Sequence, residues 1–463
     1  MPHSRYKART RIFEPAGQHF VTPVLDPVTR VVVIGAGFSG VAAANALQTR
    51  GVEVVILESR PYIGGRTQTV SMRDAHVETG GAWIHTPINN PLSELANFLS
   101  LEQKNFPLSE IFSNLRLVDH QGHVLSKMDR DRIMELANTI EEELMESAAS
   151  YAASPTIAEL IELRLLAITD PTLCEWVRFV LYTGFETDLA CPAEDISIAN
   201  YAGNVGFSGG DDCIVDGYSA MLGKLAKGIK IHCNAVVNEV VQTTAGVTVR
   251  CTNGHIEQGS HVVLSVPLGV LKAGSIRFTP DLSTQKQLAI ERLGFGAFEK
   301  LILQFEHAFW RDIDTEVQGL LIKGHPVFPY WIDVSANAGH PTLAAHVSGP
   351  PAWALAELSR DTALDLALSA LSKAFGGAIV EPVASYQTNW LGDSSSRGGY
   401  THLPPSITAQ EIQQLSNPEA RLLFAGEATS IHRFGYVDGA YISGLREAQR
   451  LTGGTPIELS TTN

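Results

Sequence analysis

Cysteine is scarce in this chain of 463 residues, with five in all: Cys174, Cys191, Cys213, Cys233 and Cys251. An odd count with no CxxC pair and no Cys/His spacing argues against a disulfide framework, and no metal site is expected. A reducing, cytoplasmic setting is the expectation. Long apolar runs are missing too, so nothing reaches the roughly 20 residues that span a bilayer. The N-terminal MPHSRYKARTRIFEPAGQHF carries charge with no apolar segment behind it, which is not the pattern of a secretory signal. Bases are outnumbered, 34 against 49 acids, for a formal net charge of −15. That balance argues against nucleic acid as a partner, and it attracts cations, although solubility alone accounts for it; no membrane partner is expected either, for want of a long apolar run. Charged residues make up 18% and hydrophobic ones 44%, the composition of a soluble globular enzyme. One core rarely serves this length, so at least two domains are expected.

What is present is concentrated in residues 30–66, RVVVIGAGFSGVAAANALQTRGVEVVILESRPYIGGR. An apolar run enters a turn at Gly35, Gly37 and Gly40, an alanine-rich helical segment leaves it, and a second apolar run ends on Glu58. Strand, turn, helix and strand give the GxGxxG pattern the context it needs. Gly35 allows the turn, Gly37 admits a pyrophosphate to the backbone, and Gly40 lets helix and strand pack closely. The helix N-terminus then supplies free N–H groups. Glu58 is placed to accept hydrogen bonds from a ribose diol and disfavours a 2′-phosphate.

Gly64, Gly65 and Arg66 follow, and a guanidinium there can clamp the same phosphates bidentately. With this GGR extension the stretch resembles the FAD oxidoreductases of two-dinucleotide-binding-domain type, and later motifs narrow the resemblance to the flavin amine oxidases. It implies an α/β fold: a discontinuous Rossmann-like FAD-binding domain beside a mixed α+β substrate domain. Expected boundaries are an N-terminal arm over 1–28, FAD-binding segments at 29–86, 211–290 and 388–463, and substrate-binding segments at 87–210 and 291–387.

Further along, ETGGAWIHTPINNPL resembles the stretch that polyamine oxidases carry beside the flavin ring. Alone, His85 reads as a loop histidine; the resemblance makes it an active-site residue, with Gly81 and Trp83 against the cofactor. From 91 to about 190 the pattern is helical, with Met134, Leu136, Ile140 and Leu144 on one face and a solvated glutamate run at 141–146. Helices are also expected over 157–168 and 173–182. In TGFETDLA, Glu186 falls where a relative has a substrate-side carboxylate, though a helix-surface glutamate reads equally well. Alternating strands are expected over 231–241, 246–251 and 261–266, and the resemblance has Val237 contacting adenine through its backbone.

GFGAFEKLILQFEHAFW reads as a largely buried strand with Lys300 at its entry. By itself the lysine is a snorkelling surface residue; the resemblance has it holding a water against flavin N5. A strand over 343–348 and a helix over 362–375 complete that portion. Near the end, Trp390, the SRGGYTHLPP stretch and GEATSIHRFGYVDGAYISG return to the cofactor, with Glu427 and Val437 beside it and a helix from about Gly439 to Arg450. Tyr400 and Tyr436 match the two tyrosines that flank the amine path in amine oxidases. Gly399 stands where some monoamine oxidases have a flavin-linking cysteine, which implies non-covalent FAD. The chain also lacks room for the helical insertion of the related histone demethylases.

The implied reaction is oxidation of a primary or secondary amine, polyamine or related, to an imine that hydrolyses to an aldehyde, with dioxygen reduced to hydrogen peroxide. The implied partners are a small amine and dioxygen, on a monomer or homodimer. Two alternatives stand: an L-amino-acid oxidase, which needs a cation such as Arg433 or Arg397 for the substrate carboxylate, and an FAD-binding protein without oxidase turnover.

Overall fold

A computed structural model describes residues 27–453 apart from 74, 152–154, 204–208, 314–316 and 378–380. All but the last two residues of the expected N-terminal arm lie outside this range. The strand Arg30–Ile34 sits at the centre of a five-stranded sheet, between His261–Leu264 and Glu53–Leu57, with Leu422–Phe424 and Lys230–His232 at the edges. Every pairing in it is parallel. Val31, Val32 and Val33 are wholly buried, which is why the run is continuously apolar: helices cover both faces of a parallel sheet. Helix Phe38–Thr49 packs there against the C-terminal helix Val437–Leu451. Gly40 permits its approach, since a Cβ there would lie 2.0 Å from the Gly35 carbonyl oxygen and 2.6 Å from Ser265 Oγ.

The strand expected over 231–241 is in fact two strands in two sheets. Lys230–His232 ends the parallel sheet, whereas Val237–Thr243 pairs with Gly246–Cys251 and Arg277–Thr279 in a four-stranded sheet closed by Ile256–Gly259. Between them Asn234 takes a positive φ of 55°, and the amides of Asn234 and Ala235 donate to the carbonyls of Arg60 and Glu58. The alternation expected at 261–266 is likewise absent, because His261–Leu264 is buried at every position in the parallel sheet.

The third large sheet has the order Ala384–Gln387, Phe298–Gln304, Thr342–Ser348, Tyr330–Asp333, Gly319–Ile322, Leu115–Val118. Phe298–Gln304 is buried from Glu299 onward, as expected of its apolar run. Helix Lys127–Ser147 buries Met134, Ile140 and Leu144, with Leu136 half-buried, and leaves Glu141, Glu142, Glu143 and Glu146 exposed. Helices Ile157–Leu165 and Pro171–Leu189 follow.

The region from 91 to 190 is not wholly helical. Leu115–Val118 pairs in parallel with Gly319–Ile322, and Gln103–Phe106 joins Asp211–Ile214, which also pairs with Ile84–His85. Both partners are remote in sequence, so no local periodicity announces them. The second pairing puts His85 opposite Asp211.

Candidate active site

A cavity of ≈ 870 Å³ runs from the first glycine turn to the entry of strand Phe298–Gln304. Gly35, Gly37, Glu58, Gly65, Arg66, Gly81, Trp83, Val237, Trp390, Glu427 and Val437 line it, together with His85, Lys300, Tyr400 and Tyr436. Gly40 stands behind this wall, at the helix–strand contact. Its size is that of a pocket for a large ligand.

At one end Glu58 is 3% exposed and accepts from the amides of Ala36 (2.7 Å) and Arg60 (2.8 Å). These bonds fix the carboxylate at the end of its strand. Gly37 caps the helix Phe38–Thr49 with no side-chain bond, and a Cβ on it would meet protein only at 3.9 Å. Bare backbone and first-turn N–H groups therefore face the cavity, a cradle suited to a pyrophosphate. The residues fit a dinucleotide.

Arg66 differs from the free phosphate clamp expected of it. Its Nη1 donates to Glu427 Oε1 (2.9 Å) and to the Gly399 carbonyl (2.6 Å), and its guanidinium lies 5.5 Å from the Phe295 ring centroid. Only its remaining N–H groups are available to a ligand. Glu427 also accepts from Thr401 Oγ1 and the Gly435 amide. The pair thus ties the first motif to the last two. Trp390 is buried, its indole N–H donating to the Thr79 carbonyl at 3.2 Å.

The far end is aromatic. Tyr400 is 5.8 Å from Phe298 by ring centroids, Tyr436 is 5.5 Å from His85 at 83°, and Trp83 stacks on Phe106 at 5.0 Å. The Tyr400 hydroxyl donates to the Thr187 carbonyl at 2.6 Å. Burial pushes its pKa well up, and that of Tyr436 up to about 12, so both phenols stay protonated. Lys300 is 3% exposed, not a surface residue, and its Nζ donates to the carbonyls of Gly80 (2.7 Å) and Glu78 (3.2 Å). Burial lowers its pKa to about 8, against the opposing pull of the Glu78 carboxylate, whose own pKa burial raises to about 7.

Carboxylates ring the remainder. His85 Nδ1 lies 2.6 Å from Asp211 Oδ1, and Tyr201 donates to Asp188 Oδ2 at 2.6 Å. Asp188 projects into the cavity, so its surface is accessible while protein surrounds it; that burial raises its pKa, opposed by Tyr201 and His85.

Glu186 does not line the cavity. Its Oε1 accepts from the Ala193 amide at 3.2 Å, and burial raises its pKa to about 7. On a helix, residues two apart point to nearly opposite sides, so Asp188 faces the ligand space and Glu186 faces away. Asp188 and Glu78 stand inside the stretches TGFETDLA and ETGGAWIHTPINNPL, and Asp211 stands in the GGDDC that follows the helical region. His346, which also lines the cavity, gave no signal: it sits in a strand buried at every position, opposite Lys300.

Comparison with known proteins places the chain in a family. The family model of flavin containing amine oxidoreductases matches residues 38–452. Polyamine oxidase 4 of Oryza sativa is 31% identical over 433 residues, 90% of this chain and 87% of the relative; polyamine oxidase 2 of Arabidopsis thaliana is 32% identical over 439 residues, 90% and 87%. Lysine-specific histone demethylase 1 homolog 2 of Arabidopsis thaliana is 31% identical over 441 residues, 91% of this chain but 58% of that longer protein. Among solved structures, a putrescine oxidase triple mutant shares the fold at a TM-score of 0.76 and 22% identity, covering 93% of this chain and all of that one. The chain belongs to the flavin-containing amine oxidoreductases.

Proposed function

We propose that the protein is an FAD-dependent oxidase of a primary or secondary amine of polyamine type, the FAD held without a covalent bond and dioxygen as the acceptor. The observation that carries this is the single cavity joining the Glu58 and Gly37 end to Lys300, Tyr400, Tyr436 and the His85–Asp211 pair. No cysteine lines it among the described residues, which supports the non-covalent reading. Five free cysteines, three of them buried, support a reducing, cytoplasmic setting.

The substrate ammonium is drawn in by Asp188 and Asp211 and by the aromatic faces of the far end. Desolvation between Tyr400 and Tyr436 then disfavours its charged form, giving the neutral amine that oxidation requires. His85, held through Nδ1 by Asp211, presents Nε2 to orient the amine or exchange its proton. Lys300 positions a water at the reacting end. FAD held by the Gly37 and Glu58 end of the cavity would supply the two-electron acceptor for the amine α-carbon, with dioxygen as the final oxidant and hydrogen peroxide as its product. The imine product is hydrolysed by water to the aldehyde.

Anaerobic mixing with spermine, simple monoamines and amino acids tests this. Spermine or a monoamine should bleach the visible flavin absorption. Bleaching by amino acids alone would favour an amino-acid oxidase, and bleaching by none a binding protein without turnover. The similarity to a lysine-specific histone demethylase adds a methylated lysine peptide to the panel, where no bleaching is expected.

A further inference from the structure

Three buried polar atoms, Glu78 Oε2, Trp83 Nε1 and His346 Nε2, have no hydrogen-bond partner among the described residues. Buried polar atoms are nearly always paired, with protein or with ordered water. All three side chains line one small cavity of ≈ 40 Å³, which also receives Lys300. Trp83, His346 and Lys300 line the main cavity as well, so they form the partition between the two.

The chemistry of the lining is complementary to water. The indole N–H donates, the carboxylate oxygen accepts, and the imidazole nitrogen can do either. A buried water needs roughly 10–15 Å³ of such space and two to four polar partners, and this cavity offers both. Lys300 Nζ spends two of its hydrogens on the carbonyls of Gly80 and Glu78, leaving its third for the water at the reacting end. His346 is 4% exposed, stands opposite Lys300 in the strand register and lies 5.6 Å from the Trp83 ring.

We propose that Glu78, Trp83 and His346 hold a water behind the active-site wall that solvates the Glu78 carboxylate, and that Glu78, kept there beside Lys300, sets the charge on Lys300. Glu78 is a positioning residue, acting from the side away from the substrate. This rests on Lys300 standing at the reacting end. The facing titratable groups are few: Glu78 and His346 next to Lys300, His76 and Cys213 further along the same cavity, and Tyr218, whose amide binds Glu78 Oε1 and whose hydroxyl binds the Trp83 carbonyl. The opposed shifts of Glu78 upward and Lys300 downward accord with a pair isolated from solvent.

Two measurements on the holoenzyme test this, and neither needs a substrate, so they stand apart from the amine panel. A high-resolution crystal structure of the wild type should show an ordered water within hydrogen-bond distance of Glu78 Oε2, Trp83 Nε1 and His346 Nε2. A dry cavity overturns the proposal, whatever the fate of any variant. In the second, the visible spectrum of the oxidised flavin is titrated with pH. A step present in the wild type and lost in Lys300→Met belongs to Lys300, and Glu78→Gln should move it at least one unit lower, because the ammonium loses its counter-charge. An unmoved or absent step overturns the assignment, since a merely structural glutamate would weaken the fold without shifting that titration.

Discussion

Arg433 and Asp438 form a bidentate pair in the wall of the cavity, with Nε to Oδ1 at 2.8 Å and Nη2 to Oδ2 at 2.5 Å. The guanidinium lies 3.9 Å from the Tyr436 ring centroid, and both side chains are almost wholly buried. Of the two cations that an amino-acid oxidase could turn on a substrate carboxylate, Arg433 is already neutralised, while Arg397 also lines the cavity. Breaking a buried pair by removing one partner costs about 3–5 kcal/mol. Asp438→Ala should lower the unfolding free energy by about that much in a denaturant titration, more so because Asn90 also donates to Asp438.

Lys300→Met should slow flavin reduction or reoxidation by roughly 10²–10⁴-fold, the usual worth of a positioned proton-handling group. Stopped-flow traces in both directions check this; wild-type rates would remove Lys300 from the reaction.

Gly40→Ala places a methyl 2.0 Å from the Gly35 carbonyl oxygen, which is backbone and cannot swing aside. The turn must open, at a cost of roughly 1–3 kcal/mol or more, and the pyrophosphate cradle opens with it. Flavin content per polypeptide after gel filtration should fall sharply, while secondary structure by circular dichroism is kept.

Glu186 provides a pH test that leaves the cavity untouched. Burial raises its folded-state pKa to about 7, above the ordinary carboxyl value near 4.5. The folded state holds this proton longer than the unfolded chain does, so the contribution to stability is full below about pH 4.5 and is lost as pH rises through 7. Glu186→Gln should match the wild type in melting temperature at low pH and exceed it at pH 8 by calorimetry.

Denaturing the holoenzyme with trichloroacetic acid should leave the flavin in the supernatant, because Gly399 precedes Tyr400 where a linking cysteine would stand. Yellow colour in the pellet would reverse the non-covalent reading.

Local pattern carried the central strand Arg30–Ile34, its neighbour Glu53–Leu57 and the glycine turn between them, because a strand buried on both faces and a tight crossover each demand particular residues at adjacent positions. It did not carry Leu115–Val118 or Gln103–Phe106, whose partners are remote in sequence. The same division holds at the site. Tyr400, Tyr436, Lys300 and His85 were visible through motifs, whereas choosing Asp188 over Glu186 required the helix phase, and finding His346 required the register of a long-range pair. Arg66 lines the cavity as the motif suggested, but its bond to Glu427 was not legible, since nothing near it in sequence names Glu427.

That last link has a consequence for the order of events during synthesis. Arg66 and Glu427 are 361 positions apart, and the edge strand Leu422–Phe424 and helix Val437–Leu451 that complete the cofactor cradle are made after almost everything else. Contacts of such long separation are slow to form. A chain that has emerged only through Thr342–Ser348 lacks Tyr400, Glu427, Tyr436 and Val437 from the cavity wall. A ligand that fills the cavity meets a complete wall only once these last segments have docked, and by mass action it stabilises their docked state.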